Sequence, residues 1–137
     1  MKPHSTPANE SQIRQLLEAW ALATKQGRRD AVLANHSAEV LIYDVLPPLK
    51  YLGAAAYRKS WDDWQPDTQG EGLFELQDLF VTAGERVAFA TCLILCGGTL
   101  PNGKKFEDLV RATFCLEKLG VEWKVVHQHI SKPYAPS

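Results

Sequence analysis

His127 and His129 stand two residues apart in the run Val-Glu-Trp-Lys-Val-Val-His-Gln-His-Ile, and on a strand that spacing puts both imidazoles on one face. Paired imidazoles can hold a zinc ion, polarise an oxygen or pass a proton. Cys92, Cys96 and Glu107 are candidates for a third metal ligand, but none lies in a recognisable metal motif, and no metal is expected. One histidine is then expected to hydrogen-bond inside a sheet and the other to sit at a pocket rim or subunit seam. Strict alternation groups the pair with Trp123 and Val125, and puts Lys124, Val126, Gln128 and Ile130 on the opposite face. Arg111 offers a planar fork of donors to a ligand carboxylate or phenolate, or to a structural partner such as Glu107, Asp44 or Glu39. Asp44 shares a predicted strand face with Val40 and Ile42. A carboxylate among apolar neighbours is a candidate general base; its structural alternatives are capping the Pro47-Pro48 loop or pairing with an arginine. Trp20, Tyr57, Trp61 and Trp64 complete the set. At helical spacing such rings serve a core, yet four of them exceed what a small core requires, and apolar pockets are lined this way.

The elements that must position these groups follow from periodicity. Thr6-Pro7 reads as a helix start, a capping hydroxyl before a proline at the first helical position, and Ile13, Leu16, Leu17, Trp20 and Ala21 recur on one face up to Gly27. A short helix is expected from Asp30, as its cap, to about Asn35, and a strand from Glu39 to Val45. A third helix follows Gly53, with Ala54, Tyr57, Trp61 and Trp64 as its apolar stripe, and stops at Pro66. The remainder reads as β: Leu73–Thr82, Arg86–Cys96, and two long strands from Phe106 to Ile130 joined around Leu119-Gly120, where glycine supplies the positive φ of a hairpin. Three helices before long antiparallel strands give an α+β architecture with the helices on one face of a curved sheet. In Val87–Leu95 both faces are apolar, so the face away from the helices needs a cover. A second copy of the sheet is the simplest one.

Composition narrows the function classes. The 137 residues suffice for one domain with a real core, ordered over about 6–133, and a net charge of −1 gives no electrostatic argument for nucleic acid or an anionic membrane. No run reaches transmembrane length, and the first residues lack the apolar stretch of a secretion signal. Cys92 and Cys96, four apart on a strand, cannot bridge, and free thiols fit a cytoplasmic location. There is no phosphate-binding glycine loop and no coenzyme motif, so no cofactor is expected.

The order of elements, together with Arg111-x-Thr113, Gly120 and Trp123-Lys124-x-x-His127-x-His129-x-Ser131-x-Pro133, resembles the nuclear transport factor 2-like superfamily from about Glu10 to Pro133. Within it the chain is most similar to the ketosteroid isomerase-like and SnoaL-like small proteins. The ending is also shared in part by the association domain of calmodulin-dependent kinases. The resemblance implies a cystatin-like cone with a pocket between concave sheet and helices, usually in a homodimer. It places Asp44 on the general-base position of ketosteroid isomerases. Trp20 stands where they keep an oxyanion tyrosine, and Arg111 or Thr113 near their protonated acid, so steroid isomerase activity is not implied. The resulting expectation is a homodimer that binds a small apolar or aromatic molecule through Trp20, Tyr57, Trp61, Trp64, Arg111, His127 and His129. Asp44 would be the base of an isomerase-, cyclase- or dehydratase-like proton transfer. The alternative is a non-catalytic ligand-binding or association module of the same fold.

Overall fold

The computed structural model describes residues 5–63 and 72–134, apart from the side chains of 61–63. The first helix, α1 (Pro7–Lys25), has proline at its start, Glu10 in the first turn and Lys25 in the last, as the helix dipole favours. Ile13, Leu17, Trp20 and Ala21 form its buried stripe. Thr6 precedes it but makes no side-chain cap. Its backbone N–H donates instead to Ala83 O (2.6 Å), while Ser5 Oγ accepts from Ala83 N (2.9 Å), so the helix entry is pinned to the sheet.

The second helix, α2 (Arg29–Val32), is one turn, shorter than expected. Asp30 lies inside it and pairs with Arg58 rather than capping it. The chain then runs through β1 (His36–Tyr43), β2 (Tyr51–Leu52), α3 (Ala54–Asp63), β3 (Leu73–Ala83), β4 (Val87–Thr99), β5 (Lys105–Leu119) and β6 (Glu122–Ser131). β1 starts earlier than expected and ends just before Asp44, and the short β2 had no signal of its own.

The six strands form one sheet in the order β2-β1-β6-β5-β4-β3, antiparallel throughout except where β1 lies parallel to β6. The α+β class therefore holds, with three helices among the described residues, the second a single turn. One face of the sheet packs under the helices: Ala90, Ile94, Ala112, Phe114 and Leu116 point inward beneath α1. Asn9, a buried polar residue of α1, fixes the register of these layers. Its Nδ2 donates to Gly84 O (3.0 Å), and its Oδ1 accepts from the Trp123 indole (3.3 Å).

The alternation expected along β6 fails at one residue. Leu116 pairs with Val125 but Cys115 pairs with His127, which leaves Val126 as an extra, bulged residue. Beyond the bulge the faces exchange. Trp123 and Val125 are inside, and then Gln128 is inside, fully buried, while His127 and His129 turn to the outer face.

Candidate functional site

A cavity of about 770 Å3 lies between the sheet and the helices. From α1 come Trp20 and Thr24; the loop after β1 supplies Asp44 and Val45 to Pro48; β2 and α3 supply Tyr51, Tyr57 and Ser60. Its floor is the inner face of the sheet, with Phe74, Ile94, Cys96, Phe106, Val110 and Ile130. Each arrives by the pleat: Phe106 and Val110 lie an even number of positions apart on β5, and Ile94 and Cys96 on β4, so they share the inner face. Trp20 meets Phe74 and Phe114 edge-on, both at 5.2 Å between ring centroids, and Tyr51 meets Tyr57 in the same way at 5.1 Å.

Asp44 sits half-buried at the mouth of β1 and is hydrogen-bonded on both oxygens. Oδ1 accepts the N–H of Val45 (2.7 Å), which makes the loop turn, and Oδ2 accepts the Tyr57 hydroxyl (2.9 Å), which ties the loop to α3. Cys96 lines the cavity as a half-buried free thiol. Burial pushes it above the ordinary thiol range, Asp108 and Asp44 push the same way, and Lys132 opposes them. Cys92 is buried deeper, and its thiol is pushed up to about 11 by burial. Neither thiol is poised as a nucleophile.

The structure divides the residues singled out from sequence. Trp20, Asp44 and Tyr57 come together in the cavity. The side chain of Trp61, and Trp64 altogether, lie outside the described residues. Arg111, His127 and His129 are on the other face of the sheet and do not line the cavity. Arg111 Nε donates to Ser131 Oγ (3.2 Å), not to an acid. His127 Nδ1 bonds the carbonyl of Leu41 (2.7 Å), and Tyr43 packs edge-on against both His127 (5.0 Å) and His129 (5.2 Å). Among the described residues, no third His, Cys, Asp or Glu joins the two histidines in a metal-ligand set. For the two histidines the reason is the Val126 bulge, which reverses the faces halfway along β6; Arg111, on β5, alternates with the inward Val110 and Ala112 and so faces outward. The aromatic lining residues missed from sequence are Tyr51, Phe74 and Phe106. Phe74 and Phe106 carried a legible signal, since they alternate with Leu76 and Val110 on strands already identified; Tyr51, in a two-residue strand after two prolines, had none.

A profile of the SnoaL-like domain matches residues 13–135. No curated protein matches the chain. Among solved structures, an NTF2-like protein of unknown function from Pseudomonas putida KT2440 is 30% identical, with 96% of this chain and 91% of that chain covered and a TM-score of 0.86. A putative dehydratase of the NTF2-like family from Streptomyces avermitilis is 21% identical, with 95% and 100% covered and a TM-score of 0.80. A putative aromatic ring hydroxylase from Novosphingobium aromaticivorans is 17% identical, with 96% and 94% covered and a TM-score of 0.79. The last two share this fold. With residues 13–135 matched to the domain and a 30% identical relative covered almost end to end, the chain belongs to the SnoaL-like family of the nuclear transport factor 2-like superfamily.

Proposed function

We propose that this protein binds a small, largely apolar ring compound in the cavity between sheet and helices, with Asp44 as its polar anchor. The observation that carries this reading is the lining itself: Trp20, Phe74, Tyr51, Tyr57 and Phe106 surround a space of about 770 Å3 that holds, among the described residues, one carboxylate at the end of β1. A cavity of that size, walled by rings with few polar groups, suits a drug-sized ligand. On this reading Asp44 is also the candidate general base, taking a proton from carbon beside a ligand carbonyl and returning it elsewhere, as an isomerase, cyclase or dehydratase requires. A putative aromatic ring hydroxylase of the same fold is in keeping with an aromatic ligand, and a putative dehydratase with a dehydratase-like reaction. Titration with a panel of aromatic and polycyclic compounds should quench tryptophan fluorescence saturably, and Trp20→Phe should reduce the amplitude. An intact fold with no saturable response across the panel overturns the reading.

A second reading is favoured by the opposite face of the sheet. Phe80, Phe89 and Leu109 are about half exposed there. We propose that this face seats a second copy of the chain, so that the protein is a homodimer whether or not it is catalytic.

A further inference from the structure

Three hydroxyls around the cavity have their protons committed to the protein. Thr24 Oγ1 donates to Trp20 O (2.9 Å), Ser60 Oγ to Tyr57 O (2.6 Å) and the Tyr57 hydroxyl to Asp44 Oδ2 (2.9 Å). Each of these hydroxyls has one proton, and each proton is committed to the protein. An ionised carboxylate has no proton and about four lone-pair sites. On Asp44 the Val45 amide and the Tyr57 hydroxyl occupy two, which leaves room for a donor from a ligand. The guanidinium that could have met a ligand anion, Arg111, is on the other face of the sheet. Among the described lining residues, the side-chain nitrogen donors are the Trp20 indole and, at the C-terminal end of α1, Lys25 and Gln26, and the Tyr51 hydroxyl can act either way. Cys96 reports on the same end of the cavity: beyond burial, Asp108 and Asp44 both disfavour a thiolate there, opposed by Lys132.

We infer that the cavity takes ring compounds carrying a proton-donating group, an alcohol or an ammonium, seated on Asp44, and discriminates against rings that carry a carboxylate at that position. The inference rests on the small-molecule reading above and names its ligand class.

Calorimetry with three naphthalene probes of similar shape tests it: 1-naphthylmethylammonium, 1-naphthylmethanol and 1-naphthoate. The ammonium and the alcohol should bind at least about tenfold more tightly than the carboxylate, the scale of one charge-assisted hydrogen bond. Asp44→Asn should bring the ammonium and the carboxylate to within about threefold of each other. Tyr57→Phe keeps the carboxylate and removes a competing donor, so it should preserve the preference; it also serves if Asp44→Asn does not fold. Equal or tighter binding of 1-naphthoate, lost in Lys25→Met, would show that the lysine selects the ligand and would overturn the inference. If none of the probes binds while circular dichroism shows an intact fold, the small-molecule reading falls first and this inference with it.

Discussion

Asp44 joins two elements through one side chain, the loop after β1 by Oδ1 and α3 by Oδ2. From sequence it is a desolvated carboxylate, and on that ground Asp44→Asn should stabilise the fold. Two protein donors reverse the sign, since an amide can satisfy only one of them without the Tyr57 hydroxyl turning. Asp44→Asn is therefore expected to lower stability by about 1 kcal/mol in urea denaturation, and Tyr57→Phe by a similar amount. His36 gives a pH dependence of known sign. Its Nε2 meets Gln128 Oε1 (2.8 Å) in the interior, while His36 Nδ1 and Gln128 Nε2 lack protein partners. Burial holds the imidazole below its ordinary value of 6.5, against the smaller opposing effect of the Gln128 hydrogen bond. A base whose folded pKa is depressed takes up its proton more readily when unfolded. Its contribution is thus fully present above about 6.5 and is lost as pH falls through that value and on through the folded one. Urea midpoints should decline between pH about 7.5 and about 5, and His36→Gln should flatten that part of the decline. An unchanged pH slope in the variant would mean that His36 is not the group responsible.

At the scale of elements, β4 and β5 are brought together closely where they floor the cavity. A Cβ on Gly97 would stand 2.1 Å from Phe106 O and 3.1 Å from the Glu107 Cα, both backbone atoms that cannot swing aside. Gly97→Ala should therefore part the strands beside the cavity and cost about 1–3 kcal/mol, read from the thermal midpoint, with weakened binding of ring ligands. The Val126 bulge has a comparable role in β6. It lets Trp123 and Val125 fill the core and then delivers Gln128 to His36 on the same inner side. Without it, strict alternation would drive His127 and His129 into the apolar layer under α1.

At the scale of the whole molecule, the sheet has one face under the helices and one that, among the described residues, has no cover. On the uncovered face Val87 is 62% exposed, Leu109 50%, Phe80 50% and Phe89 47%, and Tyr43 and the two histidines lie farther along it. Monomeric proteins seldom leave so many large apolar groups together, and a symmetric pair of sheets would cover both copies at once. Light scattering at micromolar concentration should give about twice 15.3 kDa. Phe89→Asp, which introduces a charge at the proposed seam without touching the cavity, should yield a folded monomer. A monomer in the unaltered protein would remove the homodimer. Among the described residues, no helix is long and apolar enough to cross a membrane.

Local pattern determined the elements and their order. The apolar stripe of Ile13, Leu17 and Trp20, the positive φ of 68° at Gly120 and the two-faced apolar strand around Phe89 were legible because each depends on near neighbours in the chain. The same holds for Trp20, Tyr57 and Asp44, whose direction follows from a helix stripe or a short uninterrupted strand. What lies on the far side of a register shift was not legible. A bulge is set by how β6 pairs with β5, and nothing in Val125-Val126-His127 marks which residue the ladder will skip. That one residue decided that His127 and His129 stand apart from the cavity, and that Gln128 is buried against His36. Tertiary structure also supplied the partners: Tyr57 reaches Asp44 from thirteen residues away, and Asn9 reaches Trp123 across nearly the whole chain. Burial makes such polar groups find a partner, but only the packed layers determine which one is within reach.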